Sequence, residues 1–103
     1  MILAIDIGNT NIVIGCIDGE KVCFVERAST NLAKTELEYV VEFRTLFELY
    51  HIGMEDITGS IISSVVPPLN NIIKSGLEKM FHQAPMVVGP GVKTGLNILC
   101  LLY

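Results

Sequence analysis

The sequence predicts an α/β domain on a five-stranded mixed sheet, with its elements in the order β-β-β-α-β-α-β. Three observations carry this expectation. The chain opens with three runs dense in Ile and Val, separated by Gly-containing polar turns. Two stretches with apolar residues at helical spacing follow, each leading to a short apolar run. Half of the 103 residues are apolar and 17% are charged, which suits one domain with a full core.

Residues 2–6 and 11–17 read as strands on either side of the turn Gly8-Asn9-Thr10-Asn11. Asp18-Gly19 is a strong short-range hairpin signal, so residues 20–28 are expected to fold back as a third antiparallel strand. A polar stretch from Ser29 to Lys34 precedes Thr35, and Glu38 three residues later completes a capping box. The helix after it is expected to reach Tyr50, to bury Leu37, Val40, Val41, Phe47 and Tyr50, and to stop at Gly53. Residues 60–66 form the fourth strand, closed by Pro67-Pro68. A second helix, Leu69 to His82, carries Leu69, Ile72, Ile73, Leu77, Met80 and Phe81 on one face. Pro85 leads into a last strand, Met86 to Val88, before the Gly-rich stretch GPGVKTG and the apolar tail LNILCLLY. Hairpin-linked strands followed by two crossovers give the mixed sheet and separate it from a Rossmann unit, whose first strand feeds a helix directly.

Several function classes are disfavoured. The net charge of −4, with seven scattered Lys and Arg residues, argues against a nucleic-acid partner. No apolar run approaches the roughly 18 residues that cross a bilayer. Asp6 breaks the first apolar run too early for a secretory leader, so a cytoplasmic location without a membrane partner is expected. The three cysteines lack CxxC spacing, and Cys16 and Cys23 fall in apolar strands, which suits small buried hydrophobes. His51 and His82 end the two helices, where a cationic ring complements the dipole.

The chemistry-bearing residues concentrate at two loops. Asp6 stands at the entrance of the first turn, whose backbone amides and Thr10 hydroxyl suit a phosphate tail. A lone carboxylate repels phosphate unless a cation lies between them, and Mg2+, which keeps its waters and takes one or two carboxylates, fits that place. The same residues also suit an ordinary surface hairpin. In the second loop Val92 precedes Lys93-Thr94 where a P-loop needs Gly, and Gly89, Gly91 and Gly95 give GxGxxxG rather than GxGxxG. That loop is either a plain connection or a place where the backbone approaches a ligand that Lys93 or Thr94 touches. Ser63 and Ser64 end the fourth strand at the carboxyl edge of the sheet, where they either face a ligand or cap the strand.

With DIGNTN after the first strand, SSVVP at 63–67 and GPGVKTGLNI at 89–98, the chain resembles the type III pantothenate kinases over residues 1–98. That resemblance implies the ribonuclease H-like fold of the actin-like ATPase superfamily, with residues 1–98 as its N-terminal domain. It implies transfer of the γ-phosphoryl group of ATP to pantothenate, the first step of coenzyme A synthesis. Mg2+, a monovalent cation (K+ or NH4+) and a homodimer come with it. Matched motif to motif, Asp6, Ile7, Gly8, Asn9, Thr10, Asn11, Ile12 and Val13 are the stretch that holds the ATP phosphates, with Asp6 toward the metal. Ser64, Val65, Gly91, Lys93, Thr94 and Gly95 fall on the substrate side.

The resemblance stops near the end. The family continues with a tyrosine that contacts pantothenate, then Asp-Asn-Pro and a Gly-Ala-Asp-Arg motif whose aspartate is the catalytic base. Here Leu99 to Tyr103 form a divergent apolar tail, with Cys100 in the place of that tyrosine. The expectation is an N-terminal half without a catalytic residue of its own, inactive alone. Two other functions remain open: a non-catalytic nucleotide-binding or transcriptional accessory module of the same fold, and a superfamily kinase acting on another small hydroxylated substrate.

Overall fold

Strand formation follows the β-branched runs, and the computed structural model describes residues 1–89. The elements are β1 (Ile2–Ile7), β2 (Asn11–Asp18), β3 (Lys21–Ser29), α1 (Glu36–Leu49), a 3-10 turn (Met54–Asp56), β4 (Gly59–Ser64), α2 (Pro67–Phe81) and β5 (Met86–Val88). They build one five-stranded sheet in the spatial order β3-β2-β1-β4-β5. β1–β2 and β2–β3 pair antiparallel, whereas β1–β4 and β4–β5 pair parallel, so the mixed sheet and its element order are as expected. Gly19 takes the first loop position of the second hairpin with φ +63°, a conformation that glycine adopts at little cost.

The pleat divides the strand residues between two faces. Leu3, Ile5 and Ile7 of β1, Ile12, Ile14 and Cys16 of β2, and Ile62 of β4 form the core with Tyr39, Phe43 and Phe47 of α1 and Leu69, Ile73 and Leu77 of α2. Both helices therefore cover the same face. Ala4, Val13 and Val25, flanked by Ile17, Val22 and Ile61, make a smaller apolar cluster on the opposite face. Asp6, between Ile5 and Ile7, lies on that opposite face by alternation.

Helix α1 opens as its capping box dictates, Thr35 and Glu38 exchanging bonds with each other's backbone N–H. Its buried stripe corrects the sequence expectation. Tyr39, Phe43 and Phe47 face the core with Leu46, while Leu37 is 69% and Val41 55% exposed. The reason is continuity: the Leu37–Val41 stripe runs on into Arg44 and Glu48, whereas 39–43–46–47 stays apolar throughout. Val40 turns toward α2 instead, where a Cβ on Gly76 would lie 3.0 Å from its Cγ2. Tyr50 stacks on Phe24 at the sheet rim, with centroids 4.6 Å apart.

The helices end near Tyr50 and at His82 as expected, but the stop residue of α1 and the start of α2 differ. α1 ends before Gly53 because His51 adopts φ 56° and closes a Schellman motif: Ile52 N–H donates to Phe47 O at 2.9 Å and His51 N–H to Glu48 O at 3.3 Å. His82 takes the same φ after α2. α2 begins at Pro67 rather than Leu69, since the first helical positions need no N–H and accept proline. β4 ends at Ser64, with Val65 and Val66 in the turn, because the Ser64 hydroxyl accepts the Val66 N–H at 3.0 Å.

Candidate functional site

Parallel pairing aligns the carboxyl ends of β1, β4 and β5, and this gathers the candidate loops at one sheet edge. Asp6 lies beside Ser63, and Ile7 beside Ser64. Val65 N–H donates to Ile7 O at 3.0 Å, which lays the exit of β4 against the start of the first turn. Val88 pairs with Ser63, so β5 also ends at this edge, and Gly89 follows there. Across the sheet, Arg27, Val13, Asp6, Ser63 and Val88 form one cross-strand row.

The first turn is held from three sides. Ile7 and Ile12 pair beneath it and are fully buried, anchoring both of its ends in the helix-side core. Gly8 N–H donates to Asn11 O at 3.0 Å, closing the loop. Thr30, just past β3, bonds the loop twice: its N–H donates to Thr10 O at 2.9 Å and its hydroxyl to Gly8 O at 2.6 Å. The Gly8 amide is thus committed within the loop, which narrows the expected nest of amides from Gly8 to Asn11. Among the described residues, no hydrogen bond occupies the N–H groups of Asn9 and Thr10, and both residues are exposed.

Glycine at position 8 has a steric reason, since a Cβ there would stand 3.0 Å from the Asn11 carbonyl oxygen. The N-terminus of α2 lies at the same edge but offers few donors. Pro67 and Pro68 have no N–H, and Leu69 N–H is spent on Val66 O at 3.0 Å. Among the described residues, the open backbone donors at this edge therefore lie on the hairpin turn rather than on the helix end. Ser64 and Val65 sit beside that turn, Ser64 accepting the Val66 amide. Gly91, Lys93, Thr94 and Gly95, like the tail from Leu99 to Tyr103, lie outside the described residues.

No group of three or more His, Cys, Asp or Glu side chains gathers to hold a metal among the described residues. Mg2+ held by phosphate oxygens, water and one carboxylate needs no such group, so Asp6 beside open amides fits it. A cavity of about 290 Å³ between the helices, lined by Val40, Arg44, Met54, Lys79 and Met80, belongs to the helix layer and not to this edge. His51 and His82 sit at helix ends. No helix of the described residues is long and apolar enough to cross a membrane.

Sequence reading missed Thr30 and Tyr39. Thr30 carries no motif of its own, and its role comes only from the place where β3 ends. A family model described as type III pantothenate kinase matches residues 2–101. The chain belongs to the type III pantothenate kinase family. Curated type III pantothenate kinases share 47% identity over 98 residues in Halalkalibacterium halodurans, 48% in Brevibacillus brevis and 47% in Geobacter sulfurreducens. Each match covers 95% of this chain, but only 39%, 38% and 38% of the respective kinase. The chain therefore spans about two fifths of the length of these type III pantothenate kinases.

Proposed function

We propose that this chain carries the ATP-phosphate grip of a pantothenate kinase, which moves the γ-phosphoryl group of ATP to a pantothenate hydroxyl. The supporting observation is the sheet edge where Asp6, the Gly8–Thr10 turn and the exit of β4 converge. The amides of Asn9 and Thr10 and the Thr10 hydroxyl bind phosphate oxygens. Asp6 would hold Mg2+ through its carboxylate, and the bound ion would supply neutralisation of the phosphate charge. Ile7 and Ile12 hold the turn rigid from below, Asn11 closes the loop through its carbonyl, and Val13 flanks Asp6 on the nucleotide face. Ser64 and Val65 border the pantothenate side, and the family resemblance assigns Gly91, Lys93, Thr94 and Gly95 to the same substrate. In phosphoryl transfer, positioning and charge stabilisation supply most of the catalysis, so this turn carries a large share.

A monovalent cation, K+ or NH4+, a homodimer and a cytoplasmic setting complete the reading. None of the residues of this chain is assigned as the catalytic base, and the chain alone is expected to bind MgATP without turning it over. Calorimetric titration of MgATP into the purified chain and its Asp6→Ala variant tests the grip. Affinity should fall at least about tenfold on losing a charged partner, and equal affinities would mean the site is misplaced. Phosphorylated pantothenate formed by the chain alone would overturn the assignment of no base.

A further inference from the structure

Resting on that phosphate-grip reading, we propose that Thr30 is a positioning residue that aims the backbone amides of the turn at the nucleotide phosphates. Its hydroxyl donates to Gly8 O at 2.6 Å and its N–H to Thr10 O at 2.9 Å. Peptide planarity turns these two bonds into an orientation. The described peptide bonds are all trans, so each carbonyl points opposite to the N–H of the next residue. Drawing Gly8 O toward Thr30 swings Asn9 N–H away from it, and drawing Thr10 O toward Thr30 does the same to Asn11 N–H. One residue thus sets two peptide planes of a three-residue loop. It also keeps two carbonyl dipoles off the side where a phosphate approaches, removing a repulsion as well as presenting donors.

Thr30 is in turn held from the core. The next residue, Asn31, receives a hydrogen bond from the Tyr39 hydroxyl at its carbonyl, 2.7 Å, and gives its own N–H to the same oxygen at 3.2 Å. Tyr39 is 1% exposed, so helix α1 passes its rigidity through Asn31 and Thr30 to the turn.

The test measures MgATP affinity by calorimetry for the wild-type chain, Thr30→Val, Thr30→Ser and Asp6→Ala, well below each unfolding midpoint. Thr30→Val keeps the shape and the backbone bond to Thr10 O but loses the hydroxyl, and its affinity should fall about fivefold to tenfold, the cost of one mis-set donor. Thr30→Ser restores the hydroxyl and should return affinity to within about twofold. A merely structural residue would lower the midpoint in both variants and leave affinity alone. Wild-type affinity in Thr30→Val, with binding still lost in Asp6→Ala, overturns the role of Thr30 and spares the phosphate site. No binding by the wild-type chain, or unchanged binding in Asp6→Ala, overturns both. A measurement on the wild type needs no variant to fold: on adding MgATP, the Asn9 amide resonance, on a peptide plane that Thr30 sets, should shift most. Larger shifts at Gly8 or Thr30, whose N–H groups are already bonded within the loop, would refute the orientation.

Discussion

Removing one oxygen atom, in Tyr39→Phe, isolates the contact between helix α1 and the loop that follows β3. The ring remains, with its packing on Phe43 at 6.2 Å between centroids and the Lys34 ammonium 5.4 Å from its own centroid. What disappears is the hydroxyl that gives a hydrogen bond to Asn31 O and takes one from Asn31 N–H. A neutral protein hydrogen bond contributes a net ~0.5–1.5 kcal/mol, so two of them set an upper figure of about 3 kcal/mol. Asn31 itself is exposed, and water replaces part of what is lost. The expected destabilisation is therefore about 1–2 kcal/mol. For a domain near this size 1 kcal/mol moves Tm by about 4–8 °C, giving a fall of about 5–15 °C by calorimetry or circular dichroism. Amide exchange at Asn31 should accelerate by more than exchange at Phe43, which sits in the middle of α1. A fall of less than about 2 °C, the range of a neutral surface change, would refute the idea that this hydroxyl ties helix to loop.

Three other perturbations follow from particular contacts. His51→Gly relieves a left-handed conformation that costs an L-residue about 1 kcal/mol, so Tm should rise by several degrees, and a fall would show that the His51 ring makes a stabilising contact. Gly76→Leu should destabilise by about 1–3 kcal/mol in chemical denaturation, because Val40 Cγ2 already stands 3.0 Å from where a Cβ begins. Burial, with the Cys23 thiol alongside, pushes the Cys16 thiol from 9.0 up to about 11. The native state thus keeps this proton after the unfolded chain releases it. The resulting stability is complete below pH 9 and is lost as pH rises toward 11, about 2–3 kcal/mol in all. Cys16→Ala should flatten that alkaline slope in denaturant titrations, and an unchanged slope would refute the assignment.

The parts of the fold legible in the sequence were those set by local chemistry. Ile-rich runs, the Asp18-Gly19 turn and the Thr35–Glu38 box each act within a few residues, and each lies where the pattern put it. The helix face was misjudged because Leu37 and Val41 are apolar but lead into charged positions, while the aromatic stripe beside them fills the core. The helix ends near Tyr50 and His82 lie where the pattern put them, but the first stop residue was misjudged as Gly53, because His51, which has no glycine-like freedom, takes the left-handed position once Ile52 has a core to enter. The Asp6 turn was readable as a carboxylate beside free backbone. Which of its amides remain open was not, since Gly8 bonds within the loop and Thr30 arrives from another strand.

The sequence by itself determined the order of elements, the α/β class and the motifs that place the chain in its family, because periodicity and turn chemistry are local and additive along the chain. Tertiary structure decided that Asp6, Ser64 and the end of β5 share one edge, and that Thr30 and Tyr39 brace the turn. Those facts depend on strand register and on a bond between residues 22 apart, which arise only when the sheet closes and the helices cover it.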